Sequence, residues 1–526
     1  MIIDSGVLSQ GTELQCDLCI VGGGAAGISI ALEMIGTGLD VVLLEAGFIG
    51  FDDRAQSLYD GPNLGIDSTA LVDSRLRMLG GSTNHWAGNS MPLEPIDFEE
   101  RPGIPHSGWP ITRQDLDPYY LRAQARVETP SDGLYDTPEN AARLDFNKID
   151  FDPAKLESFI FAESPPTAFG YVYEDQLRAA QNVRVILNAS ALEVATNDTA
   201  SEVTGIRASG LDGPEFRVTA RKYILAAGGI EIPRLLLLSN AVQTAGLGNG
   251  NDLVGRFFMD HASIRPPMTV LLPDKGAHLR PYIDSTEVEG GYLRGAIRAS
   301  ADILRKEQLP NFLFFTFVNP QRSPGKIAML RLKQALQGRE IDHLGMHLQN
   351  VLTDMDGATN ALFQNVRGDK QDLIDRNWFE PWLVVESIPE PDSRVVLIDE
   401  RDDIFGQRRC GLDWRFHEGT LPSYRRATEI LAEEMGRLGY GRVWSQILRD
   451  DSEWPGPIWH GKHHCGTTRM SNDPRTGVVD ANCKAHGISN LYISSSSVFP
   501  THGAATPTLT ITAMAIRLAD HLKEAM

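Results

Sequence analysis

Residues 17–45 read DLCIVGGGAAGISIALEMIGTGLDVVLLE, and this stretch decides the fold. The apolar run 18–21 predicts a buried strand, and the apolar residues within 28–35 recur at helical spacing. A second apolar run, 41–44, predicts another buried strand. Continuously apolar strands around a helix are typical of a parallel sheet covered on both faces, so we expect an α/β protein.

The glycine-rich turn between the first strand and the helix fits the G-x-G-x-x-G pattern of dinucleotide-binding folds. Gly22 is expected to permit the tight turn, Gly24 to let backbone amides approach a pyrophosphate, and Gly27 to let the helix pack on the strand. Glu45 ends the next strand, where its carboxylate can accept hydrogen bonds from ribose hydroxyls. The pattern alone is weak in a chain with 49 glycines, so its place between strand and helix carries the prediction. The alternative is a tight turn without a ligand.

Two distant features favour FAD over NAD as the nucleotide. Residues 222–229, KYILAAGG, form a predicted strand that ends in small residues, which suits the back of a bound nucleotide. The carboxyl-terminal region resembles a second cofactor contact far away in sequence. An extended FAD reaches more of the protein than one mononucleotide fold, so widely spaced contacts fit FAD better.

Composition and charge limit the classes of function. The net charge of −20 over 526 residues disfavours nucleic acid and anionic membrane surfaces as partners. We see no signal peptide and no apolar run of membrane-spanning length, so a cytoplasmic enzyme without a membrane span is expected. Cys16 and Cys19 form a CxxC, but on a strand their side chains point to opposite faces, so no redox or metal role is expected.

The rest of the chain predicts a second layer and a terminal helix. Short strands over 182–225 resemble a β-meander that leads back into a buried strand. Within a mixed region taken as the substrate side, 312–318 is strand-like, and the apolar spacing over 344–355 predicts an amphipathic helix. The helical insert at 324–356 is expected to be a solvated pair covering the core; a lid, an oligomer contact and an acceptor-docking surface are alternatives.

Eight blocks of the chain resemble the glucose–methanol–choline (GMC) oxidoreductase family, close to its pyranose-oxidase-like bacterial branch. They are GGGAAG (22–27) with Glu45, LGGSTNHWAG (79–88), SGWPITRQDLDPYY (107–120), AAGGIEIPRLLLLS (226–239), LVGRFFMDH (253–261), PDSRVVL (391–397), HHCGTTRM (463–470) and NLYISSSSVFPTHGAATPTLTITAMAIRLAD (490–520). The resemblance implies a Rossmann-like FAD-binding domain and a mixed-sheet substrate-binding domain that carries helices. It places FAD-binding parts at 12–105, 181–262 and 458–526, a connecting or lid segment at 106–180, and the substrate-binding domain at 263–457.

The family's motif H-x-x-G-T-x-R-M places its catalytic histidine at His463, which would accept the hydroxyl proton while the carbon hydride passes to flavin N5. Imidazole titrates near pH 6.5 and suits this task. His464 is the next candidate. Thr506 stands where relatives have His or Asn; its hydroxyl can donate to substrate but is no second base, and it also fits the N-cap of a helix with Pro507 at the first position. His502 could substitute, or be an exposed loop histidine.

The resemblance also implies which residues contact FAD. His85 aligns with a histidine that some relatives link covalently to FAD, Trp86 is expected to be a packing wall, and Ser495 replaces the Asp of many relatives. In the family, the amino terminus of the last helix points at the flavin pyrimidine ring and favours the negative charge of the reduced state. The expected cofactor contacts are Gly22, Gly24, Ala26, Gly27, Glu45, Gly81, Ser82, Asn84, His85, Trp86, Ala87, Val194, Ala227, Gly228, Ser495, Thr506, Pro507 and Thr508, and no metal is expected.

The function implied by the resemblance is that of an FAD-dependent oxidase or dehydrogenase that acts on an alcohol. The substrate is expected to be a small sugar-like, glycoside or polyol-like molecule. Three alternatives stay open: an aromatic or secondary-metabolite alcohol as substrate, a lyase-type member without net oxidation, and a flavoprotein that only passes electrons. The sequence leaves the electron acceptor open among oxygen, a quinone and a protein.

Overall fold

The computed structural model describes residues 1–131, 133, 135–264, 268–272, 279–315, 324–336, 344–355, 358–359, 378–402, 404–449, 454 and 458–526. The strands, in chain order, are β1 Ile2–Asp4, β2 Thr12–Val21, β3 Val41–Leu44, β4 Asn89–Ser90, β5 Leu156–Glu163, β6 Val183–Leu187, β7 Ser190–Thr196, β8 Val203–Ser209, β9 Glu215–Leu225, β10 Ala262–Ile264, β11 Thr269–Leu271, β12 Thr286–Val288, β13 Gly291–Ala299, β14 Phe312–Phe315, β15 Trp378–Phe379, β16 Trp382–Val385, β17 Arg394–Arg401, β18 Arg408–Asp413, β19 Arg442–Trp444, β20 Ile458–His460 and β21 Leu491–Ile493. The α-helices are α1 Ala25–Glu33, α2 Asp53–Ser57, α3 Arg113–Arg126, α4 Pro138–Arg143, α5 Phe169–Val172, α6 Glu174–Ala179, α7 Gly228–Leu238, α8 Arg280–Ile283, α9 Ala301–Glu307, α10 Pro324–Leu336, α11 Leu344–Thr353, α12 Thr420–Arg437 and α13 Thr508–Ala525.

The first sheet is parallel through its centre, as the apolar strands around the glycine turn predict. Its order is β1-β6-β3-β2-β9, and every neighbouring pair in this run is parallel. The amino half of β9 continues antiparallel to β8 and then β7, while its carboxyl half pairs with β21 in parallel. Strand β3 is buried at all four residues, as a strand covered on both faces is.

The predicted meander is confirmed for β7, β8 and β9, which form consecutive antiparallel pairs. The prediction is wrong for β6. This strand lies in parallel beside β3, with Val183 opposite Val41 and Ile186 opposite Leu44. Its buried residues suit a strand covered on both faces, which is what a central parallel strand requires.

The second sheet is antiparallel and falls mostly in the region predicted to form the substrate side. It runs β16-β14-β13-β5-β4, with β12 pairing β13. The predicted strand at 312–318 is found at Phe312–Phe315, and 316–318 lie outside the described residues. A short pair, β10 with β20, brings the chain near residue 262 next to the chain near residue 460.

The helix pair α10 and α11 packs on loops of the first sheet. A Cβ atom at Gly50 would lie 2.2 Å from a Met346 side-chain atom, so α11 sits directly on that loop. Arg331 of α10 forms a buried ion pair with Glu174. The predicted amphipathic helix is confirmed, but part of its apolar stripe faces solvent, since Leu348 is 47% and Leu352 74% exposed.

The carboxyl ends of β2, β3, β9 and β21 meet at one edge of the first sheet, because all four strands are parallel. This edge is where ligands bind in open α/β sheets. The segments that leave it are the glycine turn, Glu45, the Ala226–Gly228 segment and the loop that leads to Ser495. Helix α13 packs against α1 and α3 behind the same edge.

The described chain contains no helix that is long and apolar enough to cross a membrane. All five cysteines lie within the described residues and are free thiols. Cys19 is buried in β2, and burial holds the pKa of its thiol well above the usual range. The Cys16–Cys19 pair is therefore part of a strand rather than a reactive motif.

Candidate active site

A cavity of about 810 Å³ opens at the carboxyl edge of the first sheet and extends to the second sheet. Its size is within the range of small-molecule and cofactor sites. Most of the predicted contact residues line it, from both ends of the chain: Gly22, Gly24, Ala26, Glu45, Gly81, Ser82, His85, Trp86, Ala87, Ala227, Gly228, His463, His464, Ser495, Thr506, Pro507 and Thr508. The fold therefore brings segments more than 400 residues apart into one site.

The glycine turn has the geometry that its sequence predicts. Gly22 has φ +109°, and a Cβ atom there would lie 2.7 Å from the carbonyl oxygen of Ala226. At Gly27 a Cβ atom would lie 1.9 Å from the carbonyl oxygen of Gly22, so helix α1 can approach the turn only with glycine at this position. At Gly24, by contrast, a Cβ atom would meet nothing within 4 Å, because the backbone faces the open cavity.

Glu45 closes the other side of the turn. Its carboxylate accepts hydrogen bonds from the backbone N–H of Gly23 at 2.8 Å and of Gly47 at 2.7 Å. Burial raises the pKa of Glu45 and outweighs these hydrogen bonds. Each carboxylate oxygen keeps lone-pair capacity beyond the bond it already accepts, so ribose hydroxyls can still donate to it.

The loop 81–87 forms one wall of the cavity, and Asn84 holds it in shape from behind. The Asn84 amide donates to the carbonyl oxygens of Leu79 and Gly81, at 2.9 and 3.0 Å. The Trp86 indole N–H donates to the carbonyl oxygen of Thr167 at 2.9 Å. Asn84 and Gly27 are thus structural neighbours of the cavity rather than part of its lining.

Val194 does not line the cavity, contrary to the expected contact. Its side chain is buried on one face of β7, and its N–H donates to the hydroxyl of Ser239 at 2.9 Å. Side chains alternate along a strand, so Ala191 lies on the opposite face and, with Ala189, lines the cavity instead.

A cluster of arginines at the nucleotide end was not predicted. Arg75 donates to Glu231 at 2.8 Å, and Arg77 lies 4.0 Å from the same carboxylate. The guanidinium groups lie over the ring of Tyr59, at 4.2 and 5.1 Å from its centroid. The Nε atoms of Arg75 and Arg77 are buried and have no hydrogen-bond partner in the described protein.

These observations fit a dinucleotide such as FAD. Gly24 leaves room beside the amino terminus of α1, which favours phosphate charge. Glu45 can take ribose hydroxyls, and Arg75 and Arg77 line the same cavity. The sequence signal for these two arginines is the segment SRLR, residues 74–77, just before the block at 79–88.

The predicted base, His463, lines the cavity. Its Nδ1 lies 2.8 Å from Nδ1 of His261, and its backbone N–H donates to a carboxylate oxygen of Asp260 at 2.8 Å. Burial lowers the pKa of His463 to about 3. The ring is therefore neutral at physiological pH, and Nε2 is the nitrogen left to act on a ligand.

His464 also lines the cavity, but its surroundings differ from those of His463. Its Nε2 lies 4.0 Å from Asp260, and its ring packs against Phe258 with centroids 5.6 Å apart. A Cβ atom at Gly229 would lie 2.4 Å from the His464 carbonyl oxygen, so the backbone is tightly enclosed. Burial lowers the pKa of His464 to about 3.

Asp260, His460 and His464 lie close enough together to raise the question of a metal. His460 Nδ1 lies 2.9 Å from Asp260, and His460 Nε2 accepts a hydrogen bond from the N–H of Thr69 at 3.2 Å. Because Nε2 accepts, the proton of neutral His460 is on Nδ1 and points at Asp260. The nitrogen that a metal would need is thus already a donor, and the arrangement is an Asp–His hydrogen bond.

Asp260 is ionised in this setting. Burial acts to raise its pKa, but the hydrogen bond from His460 outweighs burial and holds the pKa below the usual range. The carboxylate therefore bonds the backbone of His463 on one side and the ring of His460 on the other.

Thr506 does not cap the terminal helix. The helix begins at Thr508, Pro507 is its cap, and no side-chain capping bond is made. The hydroxyl of Thr506 instead donates to the carbonyl oxygen of Asn89 at 2.6 Å. The Ser495 hydroxyl is engaged with Ser497, so it too has a protein partner.

His502 is buried rather than an exposed loop residue, with only 1% of its surface accessible. It does not line the cavity. Its Nδ1 lies 2.7 Å from Nε2 of His261. Neither contact of His261 was predicted, although His261 ends the block LVGRFFMDH that carries part of the family resemblance.

Aromatic side chains from the second sheet and from β20 form another part of the cavity wall. The rings of Trp382 and Trp459 pack edge to face, with centroids 5.0 Å apart. Phe315, Val384 and Ser263 also line the cavity. Among the described residues of the second sheet and of β10 and β20, none that lines the cavity carries a carboxylate.

Comparison with known proteins agrees with this geometry. A family model described as GMC oxidoreductase, GMC_oxred_C, matches residues 401–515. The chain is 23% identical to the fructose dehydrogenase large subunit of Gluconobacter japonicus, over 96% of this chain and 97% of that one. It is 26% identical to 6'''-hydroxyparomomycin C oxidase of Streptomyces lividus, over 96% of this chain and 92% of that one.

Among solved structures, the fold is similar to that of pyridoxine 4-oxidase from Mesorbium loti. The TM-score is 0.59 at 17% identity, and the match covers 96% of this chain and 99% of that one. The match to the family's carboxyl-terminal domain includes His463 and the region that leads into α13. Residues 401–515 of the chain therefore match the carboxyl-terminal domain of GMC oxidoreductases.

Proposed function

We propose that this chain uses FAD to oxidise a CH–OH group of a small neutral substrate, with His463 as the base. The observation that carries the proposal is that His463 and the glycine turn line one cavity. Nδ1 of His463 is held by His261, so Nε2 is available to a ligand. Bound FAD supplies the hydride acceptor.

The protein side of FAD binding follows from the lining. The backbone around Gly24 and the first turn of α1 would hold the pyrophosphate, and Glu45 would hold a ribose. Arg75 and Arg77 would pair with polar groups at the adenosine end. Pro507 and Thr508 bring the start of α13 to the opposite end of the cavity, where its unpaired N–H groups favour negative charge.

His463 is suited to accept the hydroxyl proton. Burial lowers its pKa and keeps the ring neutral, so Nε2 has a lone pair for the proton of a substrate hydroxyl. The hydroxyl of Thr506 is already bonded to Asn89, so it is neither a second base nor a free donor. Catalysis here relies on one base.

The substrate end favours a neutral, hydroxylated ring with an apolar face. Trp382, Trp459 and Phe315 supply flat apolar walls, while Ser263 and the histidines supply hydrogen bonds. An aminoglycoside, the class that the name of the Streptomyces relative indicates, carries ammonium groups that need carboxylate partners. The described lining residues of the second sheet, β10 and β20 offer none. Asp73, which also lines the cavity, lies beside the ammonium group of Lys462, so we favour a neutral sugar, glycoside or polyol.

The same aromatic walls suit an aromatic alcohol, which is the second candidate substrate class. A lyase-type reaction without net oxidation is the alternative in which FAD is not reduced overall. A panel therefore contains neutral sugars, their glycosides, an aminoglycoside, aromatic alcohols and a short diol.

Anaerobic mixing of the FAD-loaded protein with this panel tests the proposal. We expect a neutral sugar, glycoside or polyol to bleach the flavin absorbance. His463→Ala is expected to lower the bleaching rate by about 10²–10⁴-fold while FAD stays bound, because general-base catalysis contributes this much. His464→Ala is the matched control and should retain most of the rate. Bleaching at an undiminished rate by His463→Ala would remove the base from its role.

His85 is the residue that would carry a covalent bond to FAD. Its ring lines the cavity, and burial lowers the pKa of His85 to about 3, so the imidazole is neutral and nucleophilic. Precipitation with acid separates the two cases, because a covalent flavin leaves its colour in the pellet. His85→Ala is the control, and its pellet should be white.

A further inference from the structure

Three imidazoles form a row from the cavity into the protein interior. Nδ1 of His463 lies 2.8 Å from Nδ1 of His261, whose Nε2 lies 2.7 Å from Nδ1 of His502. His261 and His502 are almost fully buried. Burial lowers the pKa of both residues, so each ring is neutral and carries one proton. The nitrogen that carries this proton on each ring decides whether His463 presents a bare Nε2 or an Nε2–H group to the cavity.

The carbonyl oxygen of Gly503 favours one position for the proton of His261. It lies 2.9 Å from Nε2 of His261 and can only accept, so it favours a proton on that nitrogen. Nδ1 of neutral His261 is then an acceptor, and the proton of His463 is on Nδ1. In this arrangement Nε2 of His463 is bare and can act as a base.

The N–H of Ser387 favours the other position for the proton of His261. It donates to Nε2 of His502 at 3.1 Å, so the proton of neutral His502 is on Nδ1 and points at His261. If His261 Nε2 accepts it, His261 donates from Nδ1 to His463, and the proton of His463 is on Nε2. In this second arrangement His463 is a donor and no base.

No carboxylate decides between the two arrangements directly. Asp260 bonds the backbone N–H of His463, not its ring. Glu386 accepts hydrogen bonds from the N–H of Gly503 at 3.2 Å and from Arg101. Its charge is therefore balanced by Arg101. The ring of His463 therefore takes its tautomer from His261 alone.

The two arrangements exclude each other, because protons on both Nε2 of His261 and Nδ1 of His502 would face each other across 2.7 Å. The contact of His261 with Gly503, at 2.9 Å, is shorter than that of His502 with Ser387, at 3.1 Å. We propose that His261 is a positioning residue that holds His463 in the tautomer with a bare Nε2, through the bond from His261 to the Gly503 carbonyl, and that the longer Ser387 bond gives way. This inference rests on the proposed role of His463 as base. It gives His261, which directly precedes β10, a task in the reaction in addition to its place in the fold.

A pair of variants of similar size separates this role from packing. Asn in His261→Asn places an acceptor oxygen where Nδ1 of histidine stands, whereas Leu in His261→Leu has the same shape without one. At saturating substrate, we expect the flavin reduction rate of His261→Leu to fall about 100-fold and that of His261→Asn less than about 10-fold. Substrate affinity should change little. Equal losses in both variants would mean that His261 only fills space.

A second readout does not depend on activity. In FAD-loaded protein labelled with ¹⁵N at histidine, bare and protonated ring nitrogens resonate in separate ranges, and the His463 signals are identified by their loss in His463→Gln. We expect a bare Nε2 and a protonated Nδ1 in the wild type and in His261→Asn, and a changed pattern in His261→Leu. A protonated Nε2 in the neutral wild-type ring overturns the inference.

The two proposals fail in different ways. If no alcohol bleaches the flavin, the proposed function fails, but the ¹⁵N pattern still decides whether His261 sets the tautomer. If bleaching occurs and depends on His463 while His261→Leu and His261→Asn behave alike in both measurements, only the inference about His261 fails.

Discussion

The hydroxyl of Thr506 shows how one hydrogen bond decides between two roles that the sequence allows. A threonine before a proline fits a helix cap, and its position in the family motif fits a substrate contact. The bond to the Asn89 carbonyl excludes the cap and occupies the hydroxyl proton. It ties the start of α13 to β4, the edge strand of the second sheet.

Thr506→Val removes this bond with little change in shape. We expect a loss of about 1–2 kcal/mol in the free energy of unfolding, because a largely buried carbonyl loses its partner. The flavin reduction rate should fall less than about 10-fold, since no base is lost. Denaturant titration and stopped-flow absorbance measure the two effects, with Thr506→Ser as control. A rate loss as large as that of His463→Ala would give Thr506 a catalytic role.

Sequence reasoning at the residue scale succeeds where a residue acts on its near neighbours. Gly22 and Gly27 act on each other and on the adjoining strand, so their spacing alone predicts their task. The partners of His261 are 202 and 241 residues away, and only the pairing of β10 with β20 and the loop before α13 bring them together. Nothing in local spacing encodes that contact.

Gly24, at the cap of α1, and Gly27, in its first turn, have different physical reasons to be glycine. A Cβ atom at Gly27 would overlap backbone, whereas one at Gly24 would project into the cavity. The first glycine serves packing, and the second leaves space for a ligand. Substitution should therefore separate stability from cofactor affinity.

Gly24→Ala is expected to leave the thermal stability of the FAD-free protein unchanged and to weaken FAD binding at least 10-fold, because the methyl group occupies ligand space. Gly27→Ala is expected to destabilise the FAD-free protein by several kcal/mol, as overpacking against backbone does. Calorimetry and fluorescence titration with FAD measure the two. The same loss of stability in both variants would contradict this division.

At the scale of elements, apolar runs predict where a strand or helix lies better than they predict which strands pair. The strand at 41–44 and the terminal helix are found as expected, because each has a clear period and clear ends. Strand β6 was assigned to the meander because it precedes β7 in sequence, yet its partner is β3, about 140 residues earlier. The five-part division into domains stays a prediction.

Helix α11 shows a further limit of periodicity. Its apolar residues form a stripe, and such a stripe normally faces a core. In the structure Leu348 and Leu352 are largely exposed, and contacts to the loop at Gly50 come from Met346 and His347 beside the stripe. The period predicts the helix, but not which face the rest of the molecule covers.

Across the whole molecule, buried neutral histidines make stability depend on acid. Histidine in an unfolded chain titrates near pH 6.5, whereas His464 in the folded protein titrates near 3. Between these values the unfolded chain binds more protons, so stability is complete above pH 6.5 and is lost as the pH falls towards 3. His261 and His502 act in the same direction, since burial lowers the pKa of each.

Asp97 acts in the opposite direction. Burial and the charge of Glu386 raise the pKa of Asp97 to about 7, so between pH 7 and its unfolded value near 3.9 the folded protein holds the extra proton. One carboxyl group of this kind offsets only part of the effect of several histidines. The balance therefore favours unfolding in acid.

The melting temperature of the FAD-loaded protein is expected to be level from pH 8 to about 6.5 and to fall steadily below that. A fully buried histidine with a pKa near 3 contributes a loss of about 2 kcal/mol by pH 5. Circular dichroism follows the melting. His464→Gln, which cannot titrate, should show a shallower fall than the wild type, and a melting temperature that is level down to pH 5 would contradict the account.

The short strand β21 occupies the place beside the carboxyl half of β9, and it consists of residues 491–493 of a 526-residue chain. The strands β1, β2, β3, β6 and β9 all precede β21 in the chain and can pair without it, but the edge that receives the nucleotide is finished only when β21 docks beside β9. A chain truncated before residue 491 should therefore form most of the first sheet and still accumulate colourless.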